Sequence, residues 1–130
     1  MKTSSILKAL LLFAMIFIAN NTLIASDNDP DKNFIHNVEE VDGVIVSETV
    51  FKMEGTTLTN FMKHNYKYDA NNQRIEDEAQ KWNSISNSWD NDLCLRYSYK
   101  DNSVTTEYYK WNKKKKTYVL VPEMTITMDR

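Results

Sequence analysis

Glycine and proline are nearly missing from this sequence. Gly43, Gly55, Pro30 and Pro122 are the only ones in 130 residues. That poverty excludes a collagen-like repeat and the Gly-rich or Pro-rich composition of linkers. A single cysteine, Cys94, excludes an intramolecular disulfide and any zinc site built on several cysteines. Histidine is scarce as well. His36 and His64 lie 28 residues apart, without the third and fourth convergent ligands that zinc needs. Asp27, Asp29 and Asp31 have the spacing of a calcium loop, but Lys32 stands where its glycine should be and Val38 where its closing glutamate should be. The reading therefore assigns no metal and no cofactor.

Long apolar runs are also missing, with one exception. Ala9 to Ile18 follows Lys2 and Lys8 and is broken afterwards by Asn20 and Asn21. A positive start and a short apolar stretch, about half the length of a membrane-spanning helix, are the pattern of a secretory signal peptide. Residues 1–25 are read as that signal, helical in form, and 26–33 as a polar, disordered leader. One all-β domain is expected over 34–130. Removing Lys2 and Lys8 with the signal leaves 14 basic against 18 acidic residues, net −4. That balance disfavours nucleic acid as a partner. The expected product is an exported protein, periplasmic or secreted to the cell surface, with no membrane anchor after cleavage.

What remains is rich in β-branched and aromatic residues separated by Asn, Asp, Ser and Lys. "WDNDLCLRYSYK" alternates with period two, placing Trp89, Leu93, Leu95, Tyr97 and Tyr99 on one face of a half-buried strand. Asn91 breaks that apolar face, and Cys94 falls on the polar one. "FIHNVEEV" and "VIVSETVFKM" flank Asp42-Gly43, a two-residue hairpin signal. "TNFMKHNYKYD", "RIEDEAQKW" and "VTTEYYKW" continue the series, although "RIEDEAQKW" has helix-forming composition. "TYVLVPEMTITM" closes it, with Pro122 implying an edge strand or a bulge. The pattern predicts an antiparallel meander of about seven strands, curled or packed. With so little glycine, Asn and Asp must take the left-handed turn positions.

A phrase is written twice. "KWNSISNSW" begins at Lys81 and "KWNKKKKTY" at Lys110, so Trp82 and Trp111 are 29 residues apart, as are Trp89 and Tyr118. Phe51, Tyr66, Trp82, Tyr97 and Trp111 recur every 14 to 16 residues, one strand plus one turn. On "YKYDANNQR", "KWNSISNSW" and "YYKWNKKKKTY" the chain resembles a family of small exported proteins of gut Bacteroidetes that carries only a domain-of-unknown-function label. It is similar, too, to the tyrosine-aspartate hairpin repeats of surface proteins in those bacteria. The resemblance implies export and an all-β meander, and it transfers no catalytic or binding residue.

The residues offer three kinds of chemistry. Cys94 could act as a nucleophile only if the fold brought it a histidine. Carboxylates at Glu76, Asp77, Glu78, Asp90 and Asp92 could serve a small hydrolase if two of them faced a cleft. Lys113 to Lys116 could meet an anionic polymer or lipid head group, or simply solvate a hairpin loop. No catalytic residue is assigned. The aromatic residues carry the leading expectation: Trp82, Trp89, Tyr109, Trp111 and Tyr118 as a platform for a glycan or an envelope protein. The expected function is non-enzymatic binding of a glycan or envelope protein, through that aromatic face or through an unpaired strand edge. A carboxylate-based hydrolase and a structural subunit self-associating by strand edges are the alternatives.

Overall fold

The structure, a computed structural model, describes residues 14–16 and 33–130. The signal-peptide segment, the leader and its aspartates therefore lie outside the described residues, apart from Ala14–Ile16 and Asn33. The elements are β1 (Ala14–Ile16), β2 (Phe34–Val41), β3 (Val44–Glu54), β4 (Thr57–Tyr68), β5 (Arg74–Asn83), β6 (Ser88–Lys100), β7 (Ser103–Asn112), β8 (Thr117–Leu120), a 3-10 turn (Pro122–Met124) and β9 (Ile126–Asp129). Sheet order follows chain order from β1 to β8, and β9 returns to β7. The chain is the antiparallel all-β meander that the alternation predicts. Seven expected runs become β2 to β9 because the last is cut at Pro122 into β8 and β9.

The turns follow from which residues accept a left-handed backbone. Asp42 and Gly43 both have positive φ, 52° and 79°, as the two-residue β2–β3 hairpin requires. Gly55 at 63° opens the β3–β4 turn and Asp101 at 50° the β6–β7 turn. The β4–β5 turn is tied by Asp69, whose Oδ1 accepts the backbone N–H groups of Asn71 and Gln73 at 2.8 and 2.9 Å, with Asn72 at φ 57°. Among the described non-glycine residues with positive φ, Lys116 at 51° alone is neither Asn nor Asp.

The chain forms two compact units, one ending at Met62 and one beginning at Lys63, with β4 running through the boundary. In the first, β2 and β3 pair from Phe34↔Lys52 to Val41↔Val44, with a bulge between Glu39 and Glu40. His36 there bonds the Glu48 carboxylate, Phe34 meets Phe61 at 4.9 Å, and Val50 is buried.

The second unit carries two different faces, which the registers define. Glu76↔Arg96, Glu78↔Cys94, Cys94↔Tyr109 and Trp111↔Tyr118 place these residues together on what we term the tryptophan face. Asp77↔Leu95, Ala79↔Leu93, Leu95↔Tyr108 and Tyr99↔Val104 make the opposite, tyrosine face. Buried apolar residues are few: among the described residues only Val50, Ala79 and Cys94 qualify. With so shallow a core, cross-strand side-chain pairs carry much of the stabilisation, each worth about 0.2–1 kcal/mol.

One feature of β6 departs from the simple alternation. The β5–β6 register steps from Ala79↔Leu93 to Gln80↔Asn91, leaving Asp92 as the extra residue of a bulge. The bulge moves Trp89 and Asn91 to the tryptophan face, beside Cys94 and Arg96. Trp89 therefore does not share a face with Leu93, Leu95, Tyr97 and Tyr99, as unbroken alternation requires. Asn91 interrupts no apolar face; it sits in phase with its own side of the sheet.

Candidate functional site

The twice-written phrase builds the same hairpin twice. In the first, Asn83 Oδ1 accepts the backbone N–H groups of Ile85 and Ser86 at 3.0 and 3.2 Å. In the second, Asn112 Oδ1 accepts those of Lys114 and Lys115 at 3.1 and 2.9 Å. Each turn closes through a left-handed residue, Asn87 at φ 56° and Lys116 at 51°. Immediately below, an aromatic pair clasps the two strands. Trp82 and Trp89 meet edge to face at 5.1 Å, and Trp111 and Tyr118 at 4.9 Å. Edge-to-face geometry places the positive ring edge on the negative ring face, worth about 0.5–1.5 kcal/mol beyond area burial.

All five sequence-selected aromatics, Trp82, Trp89, Tyr109, Trp111 and Tyr118, fall on the tryptophan face, and each is half-buried. They have polar company. Asn65 Nδ2 donates to Gln80 Oε1 at 3.4 Å, and Gln80 Nε2 donates to Asn91 Oδ1 at 2.9 Å. Farther along, Glu76 receives Lys67 at 2.7 Å and Arg96 Nε at 3.4 Å. The hydrogen bond and charge of Glu76 push the Lys67 pKa up. Arg96 lies 4.4 Å from the centre of the Tyr109 ring, and the Tyr109 hydroxyl donates to Glu107 at 3.0 Å. The Tyr118 hydroxyl is buried without a hydrogen bond of good geometry. Burial, then the negative charge of Glu78, pushes its pKa well up.

The bulge also shapes the ground between the twin hairpins. The β6–β7 register runs from Lys100↔Ser103 to Leu93↔Lys110, stopping at the residue next to Asp92. Beyond that point each strand is paired with its own hairpin partner, β6 with β5 and β7 with β8. An open cleft of about 450 Å³ lies there, lined by Asp90, Asn91, Trp111, Lys113 and Lys116. Asn83 Nδ2 donates to Asp90 Oδ2 at 2.9 Å, and Lys113 Nζ stands 3.9 Å from the same oxygen. Sequence reading singled out Trp111 and the lysine loop but not Asp90 or Asn91 as their neighbours. The signal for that grouping was the misplaced Asn91, which marks the bulge.

The other candidates are dispersed. Asp77 accepts from His64 Nδ1 at 2.8 Å on the tyrosine face, opposite Glu76 and Glu78. Asp92 pairs with Lys81 at 3.0 Å. Cys94 is 1% exposed and stands beside Glu78 and Tyr109, with His64 engaged to Asp77 on the other side of the sheet. Burial first, and the Glu76 charge second, push its thiol up to about 11, so it is protonated and unreactive at neutral pH. Among the described residues, no three His, Cys, Asp or Glu side chains gather as a metal-holding group. No described helix is long and apolar enough to cross a membrane.

These features define a class: an all-β hairpin meander whose repeated turns are clamped by aromatic pairs gathered on one face. The profile of a family of unknown function, DUF3836, matches residues 1–129, and the chain belongs to that family. A crystal structure of a DUF3836 family protein from Bacteroides vulgatus is similar at 75% identity and TM-score 0.73, covering 75% of this chain and 99% of that one. A DUF3836 family protein from Parabacteroides distasonis is similar at 26% identity and TM-score 0.65, covering 74% and 87%. A protein of unknown function from Bacteroides fragilis is similar at 26% identity and TM-score 0.63, covering 69% and 68%. No curated protein matches the chain.

Proposed function

We propose that this protein is a non-enzymatic, exported binding module that holds a glycan on its tryptophan face. The observation that carries the reading is the gathering of Trp82, Trp89, Tyr109, Trp111 and Tyr118 on one face, beside the amide row of Asn65, Gln80 and Asn91. Half-buried aromatic rings offer apolar area for sugar C–H faces, while amides and carboxylates hydrogen-bond hydroxyl groups. Large aromatics at a surface with polar groups among them are the usual composition of a binding patch. The N-terminal lysines and apolar run support export, to the periplasm or the cell surface.

The hydrolase alternative gains little from the geometry. Glu76, Asp77, Asp90 and Asp92 each have a lysine, histidine or amide partner, and Asp77 points away from its two neighbours. A pair of carboxylates facing one another across a cleft is what that chemistry requires.

Tryptophan emission with acrylamide quenching, before and after addition of soluble neutral and acidic oligosaccharides, tests the proposal. All three tryptophans sit on the face in question, so protection from quenching by a saccharide supports it. Emission that no saccharide alters sinks it, and attention then passes to the β8–β9 edge and an envelope protein or second copy as partner.

A further inference from the structure

We infer that the cleft between the twin hairpins selects a sugar bearing an anionic group, a carboxylate or a sulfate; this rests on the glycan-binding reading above. Three observations lead there. The first is the lining itself. Trp111 supplies a ring, Asn91 an amide, Asp90 a hydrogen-bond acceptor, and Lys113 and Lys116 two positive charges, all at one open cleft. A volume of about 450 Å³ is within the roughly 300–1,000 Å³ of small-molecule sites.

The second is the state of the charges. Asp90 is held by Asn83 at 2.9 Å, and its contact with Lys113 is long at 3.9 Å. Lys113 is 80% exposed, so its ammonium group is barely committed. Lys114 and Lys115, on the same turn, add to a positive field that the single carboxylate does not offset.

The third is an internal comparison that only a repeat can offer. The twin turns have the same length, the same asparagine cap and the same left-handed fourth residue. In the first, that residue is Asn87, a type that accepts φ 56° at little cost. In the second it is Lys116 at 51°, a conformation that costs an ordinary side chain on the order of 1 kcal/mol. Lys116 is also the one of the two that lines the cleft. A costly backbone state kept where a cheap one stands in the twin is the kind of outlier that points to function. The lysine is there for its charge, not for the turn.

The experiment is a set of titrations of the mature protein at low and at physiological salt. The probes are oligogalacturonate for carboxylate, sulfated dextran oligomers for sulfate, unsubstituted dextran oligomers, and polyglutamate as a polyanion that is not a sugar. One variant joins Lys113→Gln with Lys116→Asn, which eases the turn and so keeps the fold. A second, Lys114→Gln with Lys115→Gln, removes the same charge from the same loop outside the cleft lining. Thermal melts confirm that both fold.

The expected result is preference for one or both anionic sugars, weakened by salt as screening shortens from about 30 Å to 8 Å. The cleft variant should lose about tenfold in affinity, while the loop variant loses about twofold or less. Which anionic sugar binds better identifies carboxylate or sulfate. Equal affinity for neutral and anionic sugars overturns the inference and leaves the glycan reading standing. Equal losses in the two variants, or polyglutamate binding as well as the sugars, overturns it as mere charge attraction. Binding of no saccharide removes both readings.

Discussion

Raising the pH should expose Cys94 as a liability that neutral conditions conceal. Its thiol is 1% exposed, and burial with the nearby Glu76 charge moves its pKa from an ordinary 9.0 to about 11. The sign follows from proton counting. Below pH 9 the thiol is protonated in both states and contributes no pH dependence. Above pH 9 the unfolded thiol loses its proton while the folded one keeps it, so the unfolded state gains. Each pKa unit is worth about 1.4 kcal/mol, which makes the loss roughly 2–3 kcal/mol by pH 11. Tyr97 and Tyr118 are also pushed up by burial, so they lower stability in the same direction as pH rises past the ordinary tyrosine range and add to the raw decline. Comparison with Cys94→Ala removes their share. Urea midpoints for both proteins at pH 7, 9, 10 and 11 are the assay. At pH 7 the alanine variant should be less stable by about 1 kcal/mol for the lost sulfur contacts. That deficit should vanish and then reverse between pH 9 and 11. Parallel stability curves through pH 11 would refute the reasoning, because they would mean that the folded thiol ionises as easily as the unfolded one.

Three further outcomes are expected. Asn83→Ala and Asn112→Ala should each cost about 1–2 kcal/mol in denaturant unfolding, since each asparagine accepts two backbone N–H groups in its turn, with Asn83→Ala the costlier because it also loses the hydrogen bond to Asp90. Lys116→Gly should raise stability by about 0.5–1 kcal/mol through relief of its positive φ, read as a higher melting temperature; a lower one would show the backbone state to be harmless. Asp77→Ala should cost about 1.5–3 kcal/mol, because it removes the buried carboxylate that holds His64 at 2.8 Å, whereas an exposed control such as Glu123→Ala should change little.

Much of the fold was legible because half-buried strands write their pattern openly. Alternation located β6, Asp42-Gly43 located the first hairpin, and Asn and Asp at turn positions stood in for absent glycine. "RIEDEAQKW", helix-like in composition, became β5 because its neighbours offered it a ladder on each side, an override of local propensity by pairing. The bulge at Asp92 was not read, although its trace was visible. One inserted residue reverses the phase of everything before it, so Asn91 looked misplaced among Leu93 and Leu95 while Trp89 looked in phase with them and was not. The cleft was illegible for a related reason. It exists because the β6–β7 ladder stops at Leu93↔Lys110, and no composition or spacing announces where a ladder stops.

The covering of β7 by two separate strands has its own consequence. Tyr109 to Asn112 pair with β8, Ser103 to Thr106 pair with β9, and Pro122 keeps the ladder from running continuously between them. All four residues of β9 are exposed, with Ile126 and Met128 facing solvent. The last strand can thus leave without disturbing β8 or the Trp111–Tyr118 clasp. In hydrogen exchange, amides of β9 and those of Ser103 to Thr106 that point to β9 would open together at a fraction of the global unfolding free energy, while those of the same segment that point to β6, and those of Tyr109 to Asn112, wait for the whole unit. Strand β9 is a latch with its own, lower threshold.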